Sequence, residues 1–243
     1  MQFSKLLFLS FVWVLFTAGS TAQAMTVSPM QVEMISAGKS SHGQVSVVNN
    51  SDKPLPVEAV IQRLTLDEAG KPVTSKAGEE FLVMPPQALI PPGATQNFRV
   101  QWLGDPMMAK SESFILYMNQ IPVKMPEGQS GVQVVMSMGV MINVAPASGT
   151  PAMNIVATGV TTDKAGKRFP TITVENVSNV HALLPNATIN LASGSWSTAL
   201  KPRSIGDKVG IGLVQPGKRR KFTLPVELPA NVQTVQASLE MSK

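Results

Sequence analysis

The sequence predicts an all-β protein built from two immunoglobulin-like β-sandwiches, and three observations carry that prediction. Helix signals are almost absent. Short β-rich runs recur between turn residues along the whole chain. A stretch of small and turn-forming residues, Ala145-Pro146-Ala147-Ser148-Gly149-Thr150-Pro151, divides those runs into a longer first series and a shorter second one.

The first 24 residues stand apart from both series. Lys5 supplies a positive start, Leu6 to Ala18 is a 13-residue apolar run, and Ala22-Gln23-Ala24 is a small-x-small cleavage site. This is the pattern of an export signal that is removed, leaving a mature chain that begins at Met25. The run falls short of the roughly 20 residues a membrane span needs, and no later stretch reaches that length, so no membrane insertion is expected.

In the first series, residues 25–146, strands are predicted at Thr26–Ile35, Gly43–Asn49, Pro56–Leu66, Glu80–Met84, Thr95–Trp102 and Ser113–Gln120. Asn49-Asn50-Ser51-Asp52, Glu68-Ala69-Gly70-Lys71-Pro72 and Pro91-Pro92-Gly93 punctuate them as turns. A last strand follows in "SGVQVVMSMGVMINVAP", residues 130–146. About seven strands in this length is the count and spacing of an immunoglobulin-like sandwich. In the second series, residues 151–243, strands are predicted at Met153–Thr158, Thr171–Asn176, Ala187–Leu191, Trp196–Leu200, Lys221–Val226 and Val232–Leu239. They make a second, smaller sandwich, with no convincing repeat of the first. The chain has no cysteine, so each sandwich must stand on its apolar core without disulfides, and thiol chemistry is excluded.

Charge is uneven. Residues 25–150 hold 8 Lys/Arg against 10 Asp/Glu, and residues 151–243 hold 11 against 5. The densest basic run, Lys218-Arg219-Arg220-Lys221, follows Pro216-Gly217 and reads as a solvated turn and strand start. No aromatic residues interleave with it, so no nucleic-acid partner is expected. Chemistry is equally sparse. His42 and His181 have no second ligand at motif spacing, and the pairs Asp67-Glu68 and Glu79-Glu80 sit beside turns as exposed charges. Hydrolase elbows, zinc motifs and phosphate loops are missing, so no catalytic residue, metal or cofactor is expected. Function should lie in a surface.

The candidate surface is the last strand of the first series. Val132, Val134, Met136, Met138, Val140, Ile142 and Val144 hold every even position without a break. Alternate side chains share one face of a strand, so these form one apolar stripe. Spanning roughly 40 Å at about 3.3 Å per residue, it is about twice the usual strand length.

Several of these stretches together resemble the periplasmic pilus-assembly chaperones of chaperone–usher secretion systems. The likeness rests on "NNSDKPLPVEA" (49–59), "ESFILYMNQIP" (112–122) and the alternating strand ending in "NVAP" (143–146). The forms "VSPMQV" (27–32), "FRVQW" (98–102) and "GVMINV" (139–144) look most like the archaic branch of that family. The resemblance implies two sandwiches in an L or boomerang arrangement in the periplasm. It implies as partners pilus subunits whose immunoglobulin-like folds lack their last strand, and an outer-membrane usher that receives them. The chaperone lends such a subunit the missing strand, here residues 131–145, a recognition mode built on main-chain pairing and alternate side-chain pockets.

The resemblance carries the donated stripe onto Val132, Val134, Met136, Met138 and Val140, leaving Ile142 and Val144 to the chaperone's own domain. Five large apolar side chains are worth about 8–15 kcal/mol gross. The two methionines suit several related subunits because Met repacks easily. Members of the classical branch of that family also hold the subunit's carboxyl terminus with an Arg in the first strand and a Lys late in the donated one. This sequence has Ser28-Pro29-Met30 and Met141 at those places, so that anchor does not transfer. Arg99, on the polar face of "NFRVQW", is the candidate replacement. The alternative readings are a secreted two-domain adhesin or pilus structural subunit, and a glycan-binding or hydrolytic sandwich. The latter would want exposed aromatic platforms, whereas residues 25–243 have only Trp102, Trp196 and Tyr117 as Trp or Tyr.

Overall fold

A computed structural model describes residues 25–122, 134–206 and 208–242, so the predicted signal segment and Val132 lie outside the described residues. Among the described residues the first sandwich has ten strands: β1 (Met25–Ser28), β2 (Gln31–Ile35), β3 (His42–Asn49), β4 (Leu55–Leu66), β5 (Pro72–Lys76), β6 (Phe81–Met84), β7 (Gln87–Ile90), β8 (Thr95–Trp102), β9 (Glu112–Gln120) and β10 (Ser137–Ala145). They form two sheets, ordered β1-β3-β8-β6 and β2-β10-β9-β4-β5, with β7 also pairing with β4.

The sequence expected one strand over 26–35, but the chain breaks at Pro29-Met30. Proline has no N–H to give to a ladder. The break lets β1 pair with β3 in one sheet while β2 crosses to run parallel to β10 in the other. Alternation then fills the space between the sheets: Val45 and Val47 from β3, Phe98, Val100 and Trp102 from β8, and Phe114, Leu116 and Met118 from β9 are all buried there. Phe81 lies edge-on to both Trp102 and Phe114, at 5.1 and 4.7 Å between ring centroids.

The second sandwich contains β11 (Met153–Thr162), β12 (Arg168–Asn176), β13 (Ala182–Leu183), β14 (Ala187–Ser193), β15 (Trp196–Leu200), β16 (Leu213–Val214), β17 (Arg219–Thr223) and β18 (Gln236–Met241). Sheets β11-β12-β17 and β15-β14-β18 enclose a core that includes Ile172, Val174, Ile189, Leu191 and Phe222.

The two domains share a device that the sequence reading passed over. Asn49 is fully buried, and its amide donates to the carbonyls of Lys53 and Ile90 while its Oδ1 accepts from Ser51 N–H and Oγ–H. Asn176 does the same, donating to Val180 and Val214 and accepting from Ser178 N–H and Oγ–H. In both, a glycine N–H from a Pro-Gly turn, Gly93 or Gly217, returns to the asparagine carbonyl. Each buried amide is fully satisfied, so each fixes the turn that follows β3 or β12.

The domains meet through built contacts. Gln215 accepts from the Leu66 N–H and donates to the Leu64 carbonyl, replacing a ladder neighbour for the end of β4. Lys221 N–H donates to the Glu68 carbonyl at 2.7 Å. The basic run is therefore less solvated than the sequence suggested. Arg220 is buried over the Phe222 ring and donates to the Leu213 carbonyl, and its burial lowers its pKa from the usual arginine value. Arg219 instead pairs with Glu175 at 3.0 Å on the surface.

Candidate functional site

The stripe divides at Val140. Val140, Ile142 and Val144 are fully buried in the core of the first sandwich. Val140, expected among the lent residues, is therefore a core residue of its own domain. Met138 and Met136 are half-buried at the margin of that core, and Val134 is 75% exposed. One face thus runs continuously from the interior of the sandwich out past its end, which periodicity alone shows as a single stripe.

The edge of β10 explains why the outer part is open. On one side, Ser137 to Val144 pair antiparallel with Asn119 to Glu112 of β9, and Gln120 N–H extends the ladder to the Met136 carbonyl at 2.8 Å. On the other side, β2 pairs only from Met141 onward, where Met141 N–H donates to the Met30 carbonyl at 3.0 Å. Backbone groups alternate sides along a strand, so the N–H and C=O groups of Ser137 and Gly139 point to the uncovered side. Among the described residues nothing pairs with this side of Ser137–Val140, which lies beside an apolar row, the arrangement that accepts an added strand. The regular strand is shorter than the sequence implied, since residues 134–136 fall outside strand geometry even though Met136 stays bonded to β9.

The opposite face of β10 is occupied. A Cβ on Gly139 would come within 2.7 Å of Ile115 Cδ1, so glycine lets the β9 side chains cross over it. Met141 is buried with Leu64, Leu66 and Leu213 at the junction of the two domains. Asn143 is fully buried.

Arg99 does not join this edge. It lies exposed on β8, between Gln44 of β3 and Met84 of β6, in the sheet that does not contain β10. Alternation correctly assigned it to the outward face but carried no information about which sheet that face belongs to. Its neighbours Phe98, Val100 and Trp102 are buried as expected.

Sequence reasoning missed two polar clusters beside the site. Arg63 pairs with Glu80 at 2.5 Å and with Glu112, so Glu80 is an ion-pair partner rather than a free turn charge. Burial opposes the Arg63 charge, but the hydrogen bonds and charge of both carboxylates outweigh it and raise its pKa. His181, which has no partner at motif spacing in the sequence, has a side chain only 10% exposed and lies 2.6 Å from Glu33 across the domain junction. These partners are 148 residues apart, and no local pattern links them. Among the described residues no group of three His, Asp or Glu is placed to hold a metal ion, and no helix is long and apolar enough to cross a membrane.

Residues 25–149 match the family profile described as pili and flagellar-assembly chaperone, PapD N-terminal domain. No curated protein matches the sequence. Among solved structures, the class 5 fimbriae chaperone CfaA aligns with 90% of this chain and 100% of its own, at 12% identity and a TM-score of 0.55. The CsuC–CsuE chaperone–tip subunit pre-assembly complex, from archaic Csu pili of Acinetobacter baumannii, aligns with 86% of this chain and 98% of its own, at 12% identity and a TM-score of 0.51. A Salmonella enterica SafA pilin–SafB chaperone complex aligns with 89% and 95%, at 14% identity and a TM-score of 0.50. These likenesses span both sandwiches and establish the two-domain fold.

Proposed function

This chain belongs to the pili and flagellar-assembly chaperone family, and we propose that it holds pilus subunits by lending them the open edge of β10. Val132, Val134, Met136 and Met138 enter the groove that a subunit with a missing strand leaves open. Val140 stays at home and ties the lent segment to the chaperone's core. The observation that carries this reading is the coincidence of two features, a backbone edge at Ser137–Val140 that no described residue covers and an apolar row that emerges from the core through Met138, Met136 and Val134. In the periplasm, after loss of residues 1–24, the loaded chaperone delivers the subunit to an outer-membrane usher.

Co-expression of the full chain with an exported pilus subunit lacking its last strand tests the proposal. The subunit is expected to co-purify with the chaperone in a stoichiometric complex, and to aggregate or be degraded without it through its exposed edges. A subunit that is equally soluble alone, or that never co-purifies, contradicts the proposal.

Arg99 supplies a negative control, because it sits on the other sheet. Arg99→Ala is expected to change neither the melting temperature nor the amount of subunit recovered. A large loss of recovery with a normal melt would restore Arg99 as an anchor.

A further inference from the structure

The odd-numbered side of β10 is held by the second domain. Met141 packs against Leu213 of β16, together with Leu64 and Leu66 of β4. Two residues on, the Asn143 amide donates to Glu33 Oε1 at 2.8 Å, and its Oδ1 accepts from the Ser113 hydroxyl at 2.8 Å. Glu33 Oε2 lies 2.6 Å from His181 Nε2, and Gln31 donates to Glu33 Oε1 at 2.6 Å. The ring is set from behind by Ser111, whose Oγ accepts from the His181 backbone N–H at 3.0 Å and lies 3.1 Å from Nδ1. Burial pushes the Glu33 carboxyl up, but the hydrogen bond and charge of His181, with the bonds from Asn143 and Gln31, hold it below its ordinary value.

We infer that the second domain is a clamp on the lent strand, with His181 and Leu213 as positioning residues for subunit capture; this rests on the donor-strand reading above. The open edge lies immediately N-terminal to Met141, and whatever fixes Met141 and Asn143 fixes its register. A slip of one residue would turn every even-numbered side chain to the other face. It would also put Ile142 or Val144 where the buried amide of Asn143 has its partners, stranding Glu33 and Ser113. Only one register satisfies the chain of contacts Ser113–Asn143–Glu33–His181. β2 and β9 supply the ladder, and the second domain locks the polar and apolar contacts that choose its register.

The test compares His181→Ala, His181→Gln and Leu213→Ala in the full chain, by subunit co-purification and by backbone amide hydrogen exchange. His181→Ala and Leu213→Ala are expected to lower recovered subunit at least fivefold. Both should speed exchange of the β10 amides about tenfold and leave those of β8, in the opposite sheet, unchanged. His181→Gln, which keeps an N–H donor for Glu33, is expected to restore most of both. Wild-type exchange in β10 of His181→Ala overturns the clamp. So does faster exchange in β10 and β8 alike, which marks general loosening. A wild-type protein that holds no subunit would strike the donor-strand reading instead, and the exchange comparison would still decide the clamp.

Discussion

A Met136→Glu protein is expected to melt within a few degrees of the wild type and to hold no subunit. Met136 is half-buried at the margin of the first core, just before a strand edge that no described residue covers. A carboxylate there turns into water, and the protein loses only part of one side chain's packing. A loss of about 1 kcal/mol lowers the melting temperature of a domain this size by only a few degrees. In a complex the same carboxylate must enter an apolar groove. Burying an unpaired charge costs several kcal/mol, enough to abolish capture. A thermal melt and a co-purification on one preparation check both halves. A variant that melts far below the wild type, or one that still carries subunit, would contradict the assignment.

Val140→Glu, four residues further along the same face, is expected to unfold the first sandwich. Val140 is 0% exposed and lies against the main core, between the ladder with β9 and the start of β2. No basic side chain hydrogen-bonds there among the described residues, so the carboxylate would be buried without a partner. Its cost is comparable with a whole domain's stability of about 5–15 kcal/mol. The expected observation is loss of the first domain's cooperative transition at 25 °C while the second domain still melts. A Val140→Glu protein with both transitions intact would mean that Val140 belongs to the lent segment after all.

That contrast marks how far the sequence can be read. Strict alternation identified one face of β10 from Met138 to Val144, because side-chain period is a property of the extended backbone alone. Where the core stops along that face depends on how far β2 and the opposite sheet extend, and neither is written in residues 130–146. Most strand positions were legible for the same local reason, Thr95–Trp102 and Trp196–Leu200 to the residue. β5 and β7 were not, because Pro72–Lys76 is exposed along its whole length and Gln87–Ile90 is too short to show a period. The kinship of the two domains was hidden because it rests on few residues, Asn49 and Ser51 with Gly93, matched by Asn176 and Ser178 with Gly217. The pairing of Glu33 with His181 and the placing of Arg99 are products of tertiary topology.

Site-directed photo-crosslinking tests the central claim most directly. The chain has no cysteine, so Val134→Cys, Met136→Cys, Met138→Cys and Arg99→Cys each provide a single attachment point for a photoreactive maleimide. In the complex, labels at 134, 136 and 138 are expected to crosslink to the subunit, and the label at 99 is not. Crosslinks from position 99 with none from positions 134, 136 and 138 would place the subunit on the opposite sheet and contradict the account.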